Sequence, residues 1–386
     1  MDVVPSYLEL CLRLGRHVDG LVDSYYGPPE LQQRIEAEEL RAPSALATEA
    51  VSLAESLDGL DERRRRWLEA QLRGLETVAR KLAGEQIDYE DEVERCYGVR
   101  PERVPEDAFE TAHRDLDEAL PGTGSVGERY RAWREEDALR GEQARRVIDD
   151  LTSDFRARTE ALVGLPDGDS FEVVYVSDEP WAAFNYYLGG LRSRIAINAD
   201  IAMTPSFVAE LVAHEAYPGH HTEHAWKEQL LVRDRGQAEE SALMVGTPAS
   251  LISEGIAGLA PEILLGDEEQ GVTAAHVEGT GVAYDPEVSR AVQEARRPLG
   301  HVGANIALLL HREGGTVEEA REYHMRWGLL SPERAEHAVR FISDPLWRSY
   351  VTTYTDGYDL CREFVGGDVQ RFKRLLKQQL TPDDLR

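Results

Sequence analysis

His214-Glu215-Ala216-Tyr217-Pro218-Gly219-His220-His221 follows an apolar helical run (Phe207, Leu211, Val212) and precedes His224. Four of the eleven histidines thus fall within eleven residues, beside a carboxylate. A His-Glu pair on a helix with a further His downstream is the pattern of zinc hydrolases. Two imidazoles hold the ion, and the Glu takes the proton from the attacking water. A surface cluster of polar residues on a helix is the plainer alternative.

The spacing departs from H-E-x-x-H. In an unbroken helix a residue four after His214 would share its face about 6 Å away. That position is Pro218, which cannot donate to the His214 carbonyl and clashes with it. His220, six residues on, points away, and His221, seven on, sits about 10 Å along the axis. Neither joins His214 on one ion unless the helix is bent between them. Pro218-Gly219 suits such a bend, since Pro breaks the ladder and Gly tolerates unusual dihedrals. A rival register is His220-His221-Thr222-Glu223-His224, an inverted H-x-x-E-H motif that needs no kink and leaves His214, Glu215 and Pro218-Gly219 without a purpose.

A third ligand is expected from another helix. Leu251-Ile252-Ser253-Glu254-Gly255-Ile256-Ala257-Gly258-Leu259-Ala260 is apolar and small apart from Glu254. A carboxylate amid such residues is expensive to bury unless it is paired or holds a metal; on an exposed stripe it would be unremarkable. Two His and one Glu leave a fourth position for water, as a catalytic zinc requires.

With these residues the chain resembles the domain-of-unknown-function 885 family, whose members carry H-E-x-x-P-G-H-H and then a short E-G helix, here Ser253-Glu254-Gly255. That family is grouped with the gluzincin metallopeptidases. The resemblance extends over roughly residues 170–360 and takes in Leu310-His311, Glu318-Glu319-Ala320, Tyr323 and Tyr354-Thr355-Asp356-Gly357. Ile256 stands where the family pattern has Trp, and residues 1–165 carry no quotable match. The resemblance implies a mainly α, helical zincin-like fold with a small β-sheet or hairpin beside the active-site helix. It implies one Zn²⁺ per chain on His214, His220 and Glu254, with His221 as the fallback ligand. Glu215 would be the general base and Tyr354 the oxyanion donor, with Tyr350, Tyr358 and His311 in reserve. The three tyrosines also repeat every four residues, the spacing of ordinary helix-packing aromatics. Substrates would be peptides or other small amides.

Around this segment the pattern is mostly helical, over 5–19, 43–57, 61–82, 105–119 and 126–163, and again from 287 to 378. The β-like zone is 170–198, with Phe171–Val176, Phe184–Leu188 and Arg194–Asn198 flanking Gly189-Gly190, and it reads as a hairpin or small sheet. If its edge lines the cleft, as a strand does there in gluzincins, Asn185, Tyr186 and Tyr187 touch substrate first. Arg348 is a candidate for a substrate carboxylate, or a partner for one of the many acids. We expect a helical amino-terminal region (1–165) and a catalytic region (166–386), forming one continuous unit around a cleft.

Composition restricts the setting. A net charge of −29 argues against nucleic acid, whose phosphates it would repel. The amino terminus shows neither a basic start nor an apolar run, and no stretch reads as a membrane span, so a cytoplasmic protein without membrane contact is expected. Cys11, Cys96 and Cys361 are odd in number and far apart, as reduced thiols are. Two other functions are compatible with the same residues. One is a non-catalytic zinc- or ligand-binding helical protein with a structural metal site. The other is a di-iron oxidoreductase, for which Glu110-Thr111-Ala112-His113 lacks a second E-x-x-H.

Overall fold

The computed structural model describes residues 2–179 and 181–386. The first helices are α1 (Val3–Gly15), α2 (Pro29–Ala37), α3 (Pro43–Ala54), α4 (Glu62–Leu82), α5 (Tyr89–Tyr97), α6 (Glu106–Ala119), α7 (Val126–Glu136) and α8 (Gly141–Val163), with β1 (Val22–Tyr25) after α1. Then come β2 (Ser170–Val176), β3 (Ala183–Tyr187), β4 (Arg192–Asn198), α9 (Pro205–Glu215), α10 (His220–Lys227), β5 (Ala242–Met244) and α11 (Pro248–Leu265). The chain continues through α12 (Glu269–Val277), α13 (Pro286–Arg296), α14 (Val302–His311), α15 (Val317–Trp327), α16 (Pro332–Ser343), α17 (Val351–Val365) and α18 (Val369–Lys377). With 64% helix and 7% strand, the chain is mainly α, as expected.

The strands differ from a hairpin. β4 is central in a three-stranded sheet of order β2-β4-β3, parallel to β2 and antiparallel to β3. The apolar residues of Arg194–Asn198 explain this, because Ile195, Ala196 and Ile197 are all buried, as a strand covered on both faces requires. β3 is an edge strand of that sheet. β1 and β5, which the periodicity did not reveal, form a separate antiparallel pair. Residues 126–163 are two helices rather than one.

The two largest of five buried clusters among the described residues organise the chain. In the larger, Tyr7, Leu10, Leu14, Trp67, Leu68 and Leu75 pack with Met244, Leu251, Ile306 and Ile342, so the amino-terminal helices share their interior with the carboxy-terminal half. The 1–165 region is therefore not a separately packed body. In the second, Val147, Leu151 and Phe155 of α8 meet Val208, Leu211 and Val212 of α9 and Ile195 and Ile197 of β4. α9 starts where Thr204 accepts a hydrogen bond from Phe207 N, with Pro205 in the permissive first turn.

α11 is apolar nearly all round and lies between α9 and α17, with Leu251, Ile252, Ile256, Ala257 and Leu259 buried. By length and composition alone, Pro248–Val277 would suffice to cross a bilayer, contrary to the expectation that no stretch would; 67% of its most apolar window is buried inside the protein, as in a core helix. α11 and α17 approach until backbones touch: a Cβ on Gly255 would lie 2.2 Å from the Gly357 carbonyl oxygen. That contact sets Glu254, on α11, beside the tyrosines that begin α17.

Candidate metal centre

The bend expected at Pro218-Gly219 is present. α9 ends at Glu215, where Ala216 leaves helical geometry at φ −114° and ψ −90°, and α10 starts afresh at His220. Gly219 N donates to the Ala213 carbonyl at 2.9 Å, six residues back, so the intervening residues are looped out of the ladder. The fold requires glycine here, since a Cβ would fall 1.9 Å from the His214 carbonyl oxygen.

This loop-out brings His220 against His214, with ring centroids 4.8 Å apart and planes at 86°. Across from them, Glu254 places Oε2 3.6 Å from His214 Nε2 and Oε1 3.9 Å from His220 Nε2. Ligand atoms of all three residues lie within 4.8 Å of one another. Ligand atoms around a tetrahedral zinc are about 3.3 Å apart at bond lengths near 2.0–2.1 Å, so a small contraction suffices. Oε2 of Glu254 is buried without a hydrogen-bond partner, an orphan that a cation would satisfy. Burial holds His214 down to about 3 and His220 down to about 4, so both are neutral imidazoles with a lone pair to offer. The donor set fits a divalent ion of the zinc class.

The tautomer of His220 is fixed from behind. Ser253 Oγ donates to Glu223 Oε2 at 2.6 Å, so towards His220 Nδ1, 3.2 Å away, it can only accept. Nδ1 therefore carries the proton and Nε2 faces Glu254. The other oxygen of Glu223 accepts from the buried Lys227 at 2.7 Å. With both oxygens engaged beside a cation, Glu223 supports a ligand rather than acting as one. Although His220, Glu223 and His224 also lie close together, the inverted register is poorly served. His224 is buried, its ring parallel to His220 at 6.0 Å and resting on Tyr187. The fallback ligand, His221, faces elsewhere: fully buried, it bonds Ser193 Oγ at 2.8 Å and Asp169 Oδ2 at 3.4 Å. Asp169 also accepts from Tyr217 and Arg156, so this second histidine ties the bend to β4 and α8.

Glu215 is buried beside the ligand set, and Asn185 Nδ2 donates to its backbone carbonyl at 2.6 Å. Burial first, then the charges of Glu254 and Asp23, raise its carboxyl to about 8. Burial does the same to Glu254, also to about 8, against the lowering effect of the Tyr350 hydroxyl that donates to Oε1 at 2.8 Å. Both carboxyls therefore favour the neutral form unless positive charge is brought to them. The Tyr354 ring packs edge-on against Tyr350 at 5.4 Å and is half exposed. Burial of its hydroxyl and the charges of Glu254 and Glu215 keep it a phenol, able to donate.

The substrate-contact candidates divide. Asn185 reaches the site through Glu215, and its Oδ1 is buried without a partner. Tyr186 is exposed on edge strand β3. Tyr187 does not face the cleft as expected: pleat alternation turns it inward, where it is buried and donates to Glu228 at 2.5 Å. Arg348 is likewise corrected. It pairs with the fully buried Glu92 at 2.7 Å and donates to the Ile87 carbonyl, so no guanidinium is free for a substrate carboxylate. Of the reserve donors only Tyr350 touches the centre; Tyr358 bonds Glu262 and His311 bonds the Ile342 carbonyl. In the sequence, Glu223 figures only in the rival register and Ser253 only within the E-G motif, without the supporting roles seen here, and neither Lys227 nor Asp23 is singled out at all. Glu223 and Lys227 stand four apart, a readable helical pair, whereas nothing in the sequence ties Asp23 to this place.

Two solved structures share the fold. A provisionally assigned lipoprotein from Colwellia psychrerythraea superposes with a TM-score of 0.53 at 16% identity, over 88% of this chain and 65% of that one, so this chain spans just under two thirds of that protein's length. A provisionally assigned lipoprotein of unknown function from Shewanella oneidensis gives 0.51 at 13% identity, over 99% and 82%. At these identities the likeness concerns the fold alone. No protein-family model and no curated protein sequence matches the chain.

Proposed function

We propose that this protein is a zinc-dependent hydrolase of peptide or other small amide bonds, a gluzincin-type metallopeptidase of zincin-like fold. Membership of the domain-of-unknown-function 885 family belongs to the same proposal and rests on the motif residues. The observation that carries the reading is the convergence of His214, His220 and the orphaned Glu254 carboxylate with Glu215 buried alongside. A structural ion has no use for that fourth group.

A zinc ion held by His214, His220 and Glu254 would supply Lewis acidity to water and to the scissile carbonyl. Glu215, as its carboxylate, takes the proton of the attacking water and passes it to the leaving amine. Tyr354 donates to the oxygen that gains charge as the carbonyl is attacked, a contact worth a few kcal/mol. Ser253 and Glu223 hold His220 in its ligating tautomer. Edge strand β3, with Asn185 and Tyr186, would take an extended substrate backbone as an added strand. The three thiols are buried and unpaired, which fits the proposed cytoplasmic setting.

The test is zinc content and peptide hydrolysis in the full chain, beside Glu215→Gln and Glu254→Ala. We expect about one zinc per chain, lost in Glu254→Ala, and in Glu215→Gln retained with turnover abolished. Turnover surviving in Glu215→Gln removes the base. Zinc bound equally by all three, with no hydrolysis in any, establishes instead a non-catalytic metal-binding protein.

A further inference from the structure

The two glycines of α11 differ. Gly255 is required by the fold, since the Gly357 carbonyl oxygen stands where its Cβ would go. Gly258 is not. A Cβ built there meets only Tyr358, at 3.4 Å from the ring and 3.8 Å from its Cβ, both ordinary contacts. The backbone is helical at this point, so no left-handed conformation calls for glycine either. Glycine weakens a helix interior relative to alanine.

Gly258 lies one turn beyond Glu254 on the same face of α11, and Glu262 lies one turn further. Glu254 and Gly258 are part-exposed and Glu262 is exposed, whereas Ile256, Ala257, Leu259 and Ala260 are buried. α9 flanks this face on one side. His214 stands 3.6 Å from Glu254 at one end, and Val208 and Leu211 share a buried cluster with Ala260 and Leu264 at the other. The two helices therefore run side by side in opposite directions, with the part-exposed His214 and Glu210 along the rim. α17 flanks the other side. Tyr350 bonds Glu254, Tyr358 stands beside Gly258 and donates to Glu262 at 3.1 Å, and the half-exposed Tyr354 lies between them in the helix. A groove thus leads from the candidate centre along α11, with Gly258 as its floor. At its head is the buried, unpartnered Oε2 of Glu254. Glu254 and Gly258 are about 6 Å apart, the reach of one side chain from the bond it flanks.

The charges along the groove are matched. Arg296 donates to both oxygens of Glu210 at 2.8 Å, and Glu262 pairs with Arg362 at 3.0 Å. Beyond these pairs the groove offers the rings of Tyr354 and Tyr358 over a floor without a side chain. Such a lane rewards a bulky apolar group and leaves a charged one unanswered. We propose that Gly258 and Tyr358 form the pocket for a large apolar, above all aromatic, side chain of the substrate, so that the amides cleaved here lie next to such a residue. This specificity rests on the hydrolase reading above.

Hydroxamates chelate a bound divalent ion and report binding without turnover. Calorimetric affinities of the zinc-loaded full chain are measured for two pairs of probes. N-acetyl-phenylalanine and N-acetyl-alanine hydroxamates place a benzyl or a methyl group on the acyl side of the chelate. Benzylsuccinic and methylsuccinic hydroxamates place the same groups on the amine side. In one pair the benzyl probe should bind at least about tenfold tighter than the methyl probe, and that pair identifies the side of the bond the pocket serves. Gly258→Leu, which raises the floor, should erase the preference and Gly258→Ala should reduce it, with the methyl probes reporting on the metal site in each. Because packing does not require the glycine, Gly258→Ala should melt at or above the wild-type temperature. Equal affinities within both pairs, an undiminished preference in Gly258→Leu, or an alanine variant that melts well below the wild type overturns the assignment alone. Failure of every probe to bind the zinc-loaded chain overturns the hydrolase reading and this one with it.

Discussion

Gly255 and Gly357 meet backbone to backbone, leaving room for no methyl group on either: a Cβ on Gly357 would stand 2.5 Å from the Leu251 carbonyl oxygen. The two glycines determine how far α17 stands from α11, and hence whether Tyr350 reaches Glu254. Gly357→Ala must push the helices apart. We expect it to destabilise the fold by about 4 kcal/mol or more, the range of severe overpacking in which the neighbour is backbone and cannot turn aside. Chemical denaturation checks this, and a loss under about 1 kcal/mol would show that the helices slide freely.

The two raised carboxyls predict how metal and acidity are linked. Folded Glu215 and Glu254 titrate near about 8, far above the 4.5 of the free side chain, so between these values the metal-free fold holds protons that the unfolded chain has released. Its stability therefore falls as pH rises. The depressed histidines act in the opposite sense, but only below their ordinary 6.5. The clean window is pH 6.5 to 8. There the metal-free protein should melt progressively lower, while the upward shift in Tm on adding zinc should grow. A zinc-induced shift that shrinks across this window would contradict the placement of both carboxyls at the ion.

Ser253→Ala removes the oxygen that His220 Nδ1 donates to and strands a Glu223 oxygen in the interior. Outer-shell losses of this type typically cost about 10–100-fold in metal affinity. A competition titration with a chromophoric chelator measures it. Ser253→Thr, which keeps the hydroxyl, should recover most of the loss. An alanine variant that binds zinc as tightly as the wild type would deny Ser253 any part in setting the tautomer.

Tyr354→Phe separates oxyanion donation from packing. The ring is half exposed, so removing the hydroxyl leaves the fold intact. A donor used only as charge develops lowers kcat by about 10²–10³-fold with little change in KM. If KM rises and kcat holds, the hydroxyl contacts the ground-state substrate instead.

How much of this could be read in the sequence differs from one residue to the next. The kink was legible because Pro218-Gly219 had no other explanation in a helix, and the carboxylate of Glu254 stood out against its apolar neighbours. The choice between His220 and His221 was not legible, since it depends on which of two adjacent side chains faces Glu254 and which faces Asp169. Tyr187 and Arg348 misled for a related reason. A side chain's partner, Glu228 or Glu92, lies tens or hundreds of residues away, and no local period encodes it. β1 and β5 went unseen because strands of four and three residues carry too little alternation to register.

The pairing of β1 with β5 joins a strand early in this sequence to one that follows His214 and His220, and the larger core is shared by both halves around α11. Distant contacts of this kind form late, because long loops must close first. The motif segment cut out of this fold would therefore not hold His214, His220 and Glu254 together, because their convergence depends on an interior that both halves of the sequence build.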